Sequence, residues 1–69
     1  MITFGRNVQR ARQTLGISQE ELAFRAGLHR TYIGMVERAE RSIYLQNAKK
    51  IADALNVKLY NLLSYGEES

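Results

Sequence analysis

The stretch SQEELAFRAGLHRTYIGMVER, from Ser18 to Arg38, limits the fold of this chain more than any other part of it. Ser18 can accept a hydrogen bond from a free backbone N–H, and the carboxylate of Glu21 can reach back, so a helix is expected from Gln19. Leu22, Ala23 and Ala26 fall on one face. Gly27 then supplies the residue most at ease in the left-handed conformation that closes a helix. Leu28 is apolar where the turn must plug the core. His29 stands at the cap position of a second helix, and Ile33 and Val36, three residues apart, give that helix an inward stripe. Both helices are too short to be stable alone and must be held by packing.

Two helices that cross steeply over a tight turn need a small residue at the crossing, here Ala23, and a glycine in the turn, here Gly27. They also need apolar residues where Leu22, Ala26, Leu28, Ile33 and Val36 stand. Every one of these positions is suitably filled. Such a pair can present its second helix to the major groove of DNA, or it can serve as a structural helical hairpin.

With 69 residues the chain has room for one domain and one small core. It has no cysteine, which removes disulfides and thiolate metal sites, and its single histidine argues against a zinc site. No metal or other cofactor is expected. No apolar run approaches about 18 residues and no basic-then-apolar leader is present, so a soluble cytoplasmic protein, not a membrane protein, is expected. The formal charge is +3, and setting aside Glu67 and Glu68 in an expected acidic tail (residues 67–69) raises it to +5. Seven of the ten cations are arginine, whose forked guanidinium suits phosphate. Charge of this size also serves solubility.

Taken in order, Phe4, Val8, Ala11 and Leu15 repeat at helical spacing and Gly16 stops them, giving a first helix over about 4–15. Its arginines Arg6, Arg10 and Arg12 read as a solvated face that can flank phosphates. The central pair spans about 19–26 and 30–38. A fourth helix is expected over about 45–55, with Leu45, Ala48, Ile51, Ala52 and Leu55 inward and Asn56 ending it. A short fifth helix over about 59–64 turns Leu59, Leu62 and Leu63 inward. The expected architecture is all-α: a compact five-helix domain over residues 1–66.

The segments SQEELAFRAGLHRTYIGMVER and KKIADALNV resemble the Cro/C1-type (lambda-repressor-like) helix-turn-helix domains of Xre-like repressors, over about Val8 to Leu63. HRTYIGMVER looks most like the small controller proteins of restriction-modification systems. The resemblance implies a homodimer that binds an inverted-repeat operator in double-stranded DNA and regulates nearby genes, often its own. Activation would need contact with RNA polymerase, for which Glu20 and Glu21 are candidate contacts. Two departures from the family pattern stand out. Ala39 replaces the usual glycine, at a cost on the order of 1 kcal/mol if left-handed. Tyr44 replaces a capping serine or threonine, also at about 1 kcal/mol.

With Ile33 and Val36 inward, a step of about 100° per residue turns Thr31, Gly34, Met35 and Arg38 outward and leaves Arg30 at the exposed N-terminal edge. Arg30 can donate twice to guanine N7 and O6, or bind a phosphate. Thr31 can meet a base or a thymine methyl, and Met35 can make apolar contact. Gly34 fits a close approach to DNA, and neutral drift explains it as well. Tyr32, on the flank, either packs or reaches a phosphate. Gln19, at a helix N-terminus, is placed for a phosphate or is simply a first-turn residue. Arg38, Arg41 and Ser42 are expected at phosphates, and His29 near one. Glu37 is expected to pair with Arg12, as the family pattern implies, and to orient the recognition helix. Were that pair mostly exposed, it would contribute about 1 kcal/mol at most.

Val57, Leu59, Tyr60, Leu62, Leu63 and Tyr65 are many apolar and aromatic residues for the end of a small domain. They either form a dimer interface or close the monomer core. A different class of function is an antitoxin-like regulator whose main role is binding a protein partner, for which the few residues beyond helix five leave little room. Enzymatic activity is not expected, because no nucleophile, base and orienting group can be assembled.

Overall fold

The computed structural model describes residues 2–63, with side chains from Phe4 onward. The chain forms α1 (Ile2–Leu15), α2 (Gln19–Ala26), α3 (Arg30–Glu37), α4 (Leu45–Leu55) and α5 (Leu59–Leu63), with no strand among the described residues. α1 begins two residues earlier than the spacing predicted, since neither Ile2 nor Thr3 breaks a helix. α3 stops one residue sooner, at Glu37, and Arg38 forms its cap. Ser64, the expected last residue of the fifth helix, Tyr65 and the acidic tail lie outside the described residues.

One turn closes four of the five helices. After α1, α2, α3 and α4, a residue with positive φ lets the next N–H return to a carbonyl of the last turn: Ile17 to Arg12, Leu28 to Ala23, Glu40 to Met35 and Val57 to Ala52, at 2.8–3.2 Å. This is the Schellman closure. Glycine fills the position at Gly16 and Gly27, but Ala39 (φ 60°) and Asn56 (φ 61°) occupy the other two. The loop after α3 therefore makes the left-handed turn that a glycine would favour. At the other ends, the Ser18 hydroxyl accepts from the Glu21 N–H at 3.0 Å. The carboxylate of Glu21, expected to complete the box, instead binds Arg25 one turn on at 2.8 Å. Tyr44 gives α4 no side-chain cap.

The core gathers Phe4 and Val8 of α1, Leu22, Ala23 and Ala26 of α2, Ile33 and Val36 of α3, four residues of α4 and Leu62 of α5. Three expectations for inward leucines fail. Leu45 is 70% exposed because it is the first residue of α4, a turn ahead of the buried Ala48. Leu63 is 44% exposed, at the last residue of the short α5. Leu15, 41% exposed, lies at the rim of a groove between α1 and α5.

Gly5 controls how close α1 comes to α3. A Cβ there would run into the carbonyl oxygens of Val36 and Glu37, the latter at 2.8 Å, so the backbones touch where the helices cross. Only glycine permits this approach. Gly5→Ala is expected to lower stability by about 1–3 kcal/mol despite alanine's better helix propensity. Ala39→Gly should raise it by about 1 kcal/mol, by relieving the left-handed alanine. Urea unfolding of both variants checks the pair; equal stabilities would mean that neither backbone constraint is real.

Candidate nucleic-acid interface

The position of α3 is set from below by its own last residue. Glu37 is buried, and each of its carboxylate oxygens is held by a neighbouring helix. From α1, Arg12 donates through Nε to Oε2 at 2.7 Å and through Nη2 to Oε1 at 3.1 Å. From α2, the Gln19 amide donates to Oε1 at 3.0 Å. A third arginine donor, Nη1, reaches the Ile17 carbonyl at 3.0 Å. The Arg12 and Glu37 side chains are only 12% and 2% exposed, so this is a buried, side-on pair and not the solvated one that would contribute little. Gln19 links the start of α2 to the end of α3, a contact that its reading as a phosphate ligand did not foresee.

Above this network lies the outer side of α3. Gln19, Arg30, Thr31, Gly34 and Arg38 line one depression of about 210 Å³. Arg30 and Thr31 are exposed at the helix start, with His29 exposed at the cap position and making no side-chain cap bond. Gly34 faces this depression as expected but is covered instead of open: a Cβ there would lie 3.2 Å from Arg38 Nη1 and 3.5 Å from Gln19 Oε1. The glycine thus makes room for two polar side chains that fold across the helix. Met35 is half-buried and not fully outward. Tyr32 packs against the core, and its hydroxyl accepts from Asn47 at 3.3 Å, so packing describes it better than a phosphate contact.

Arg41 and Ser42 are exposed in the loop after α3. Arg38 also walls a second cleft, of about 400 Å³, with Arg6, Gln9, Glu37 and Ala39. That cleft brings Arg6 of α1 beside the end of α3. Sequence reasoning had left Arg6 on a solvated face, because no periodicity within α1 reveals what crosses it. Arg38 itself makes a two-pronged pair with Glu40, Nε to Oε2 at 3.0 Å and Nη2 to Oε1 at 3.1 Å. This contact keeps the Glu40 carboxyl below the ordinary carboxylate range and raises the Arg38 guanidinium. The pair is charged at neutral pH and is lost as acid protonates Glu40.

Residues 8–62 match the helix-turn-helix family. The chain belongs to it. Its five helices have the Cro/C1-type arrangement, and among curated relatives it is similar to the control protein C.BamHI of Bacillus amyloliquefaciens. The two are 43% identical over 65 residues, covering 93% of this chain and 80% of that one. Among solved structures it resembles the restriction-modification controller protein C.AhdI of Aeromonas hydrophila, with 43% identity, a TM-score of 0.86 and coverage of 88% and 92%. It also resembles the N-terminal DNA-binding domain of SinR from Bacillus subtilis, at 27% identity, a TM-score of 0.88 and coverage of 96% and 97%. SinR has also been solved in complex with DNA.

Among the expected interface residues at the far end of the domain, Leu62 is 2% exposed and belongs to the monomer core, which removes it from any surface. Val57 and Leu59 pack partly against that core. Tyr60 is 66% exposed and, with Leu63, is the apolar surface that α5 leaves open. No helix among the described residues is long and apolar enough to cross a membrane.

Glu37→Ala strands the Arg12 guanidinium in a largely buried site and is expected to cost about 3 kcal/mol. Chemical denaturation measures it. A loss well under 1 kcal/mol would show the pair to be solvated in solution.

Proposed function

We propose that this DNA-binding transcriptional regulator binds an inverted-repeat operator as a homodimer and controls a restriction-modification operon that includes its own gene. One observation carries the proposal: Gln19, Arg30, Thr31, Gly34 and Arg38, singled out for DNA from sequence, line a single depression on the outer side of α3. The likeness to controller proteins supports the choice of operon.

In this reading Arg30 donates its fork to a guanine edge and Thr31 contacts the adjacent base, while Met35 offers the apolar contact its partial exposure allows. Gly34 keeps the face low enough for the depression to meet a groove edge. Gln19, Arg38, Arg41 and Ser42 hold phosphates on either side, with His29 at the margin. Arg12 and Glu37 stay below and set the tilt of α3. The exposed Tyr60 and Leu63 of α5 support a symmetric contact between two copies, which puts the two recognition helices about one DNA turn, ~34 Å, apart. Transcriptional activation adds a contact with RNA polymerase through the exposed edge of α2 at Glu20.

A protein-partner reading is favoured by one observation, the 81% exposure of Phe24 on α2. A single exposed ring is ordinary on a protein surface, so the operator reading comes first. A partner that co-purifies with the wild type and is lost with Phe24→Ser would reverse that order.

Selection of bound duplexes from a random pool at physiological salt tests the proposal. The expected result is an inverted repeat with half-sites about one turn apart, whose preference at one base pair relaxes in Arg30→Ala, at a cost of about 1–3 kcal/mol. Arg41→Ala should instead weaken all sequences alike and reduce the salt slope by about one. No enrichment would overturn the operator reading.

A further inference from the structure

The cation best placed beside the recognition face is already occupied. Among the described residues Arg6, Arg30 and Arg41 have no carboxylate partner, whereas the Nε and Nη2 donors of Arg38 both go to Glu40, at 3.0 and 3.1 Å. That side-on edge of a guanidinium is one that can bind two oxygens of a phosphate side by side. The remaining nitrogen, Nη1, lies on the side of the depression, 3.2 Å from where a Gly34 Cβ would stand. Glu40 is held there by backbone. Its N–H closes the α3 turn on Met35 at 2.8 Å, and Ala39 before it is left-handed, so the carboxylate is delivered to the arginine two residues back. Both side chains are more than half exposed, at 58% and 54%, so an incoming phosphate can reach the pair.

We propose that Glu40 competes with the DNA backbone for Arg38 and so holds down the affinity for duplex DNA of any sequence. The inference rests on the operator-binding reading and assigns Glu40 a role within it. A phosphate that displaces the carboxylate exchanges one charge-assisted contact for another, and the gain from Arg38 shrinks accordingly. With the carboxylate removed, Arg38 meets the backbone unopposed and adds one cation to those that release counterions. Unpaired Arg30 and Arg41 carry no such brake. Affinity is then limited at a residue that reads no base, which leaves the base-reading residues free to decide where the protein stays.

The test is binding of a labelled duplex of unrelated sequence, followed by fluorescence anisotropy over a salt series, for the wild type, E40Q, R38A and R38A/E40Q. Circular dichroism confirms folding, which neither exposed side chain should alter. E40Q is expected to tighten binding about two- to five-fold at low salt, the range of an exposed ion pair, and to steepen the salt slope by about one. In the R38A background the same substitution should give a distinctly smaller gain. An equal gain in both backgrounds would overturn the inference, because Glu40 would then act only as a repulsive charge, and so would no gain in either. A wild type that binds neither this duplex nor a selected one overturns the operator reading as well; binding without coupling overturns this inference alone.

Discussion

A carboxylate cannot be withdrawn from water without donors to replace it, and the placement of the recognition helix depends on how Glu37 meets that requirement. Its two oxygens are satisfied by Arg12 from α1 and Gln19 from α2. Moving α3 by an ångström or two would break contacts in which the penalty for an unpaired charge exceeds the worth of the pair itself. The apolar core beneath holds the helices together, but Leu, Ile and Val contacts tolerate small slides. Directional hydrogen bonds at 2.7–3.1 Å do not. Gly5 tightens the same joint from the other side, since the backbone contact it allows brings α1 close to the end of α3.

Above this fixed base the surface is adaptable. Arg38 and Gln19 fold over Gly34, and both use flexible side chains that a ligand can displace. Gln19 serves both layers: its amide donates to Glu37 while its side chain also lines the depression, so the start of α2 is joined to the buried network and to the surface alike. The turn after α3 extends this pattern. A left-handed Ala39 costs stability, and it points the chain so that Glu40 meets Arg38 and the loop carrying Arg41 and Ser42 leaves alongside.

Much of this was visible in the order of residues. The helix ends were readable because Ser18, Gly16, Gly27 and Asn56 act on their own neighbours, and local chemistry is what a sequence records best. The inward stripe of α3 was readable for the same reason, and it put Arg30, Thr31 and Arg38 on the side where the depression lies. Non-local relations were not visible. That Gly5 is pressed against α3, that Arg6 comes beside Arg38 and that Gln19 reaches Glu37 depends on which helices cross, and no spacing within one helix encodes it. A glycine inside α1 between Phe4 and Val8 was the one available sign of a close approach. The end leucines failed for a different reason. Leu15, Leu45 and Leu63 keep the helical period but sit in terminal turns, where no neighbouring helix extends to cover them.

The dependence of recognition on the buried pair is tested most directly by replacing both partners together, Arg12→Met with Glu37→Gln, and measuring binding of a selected operator duplex against an unrelated one. The double replacement leaves no buried charge unpaired, so the variant should fold, and its melting temperature checks this before binding is compared. The account predicts that this folded variant loses most of its preference for the operator while keeping its affinity for unrelated DNA, because α3 is no longer fixed in tilt. A folded variant that discriminates as well as the wild type would show that core packing alone positions α3, and would contradict it.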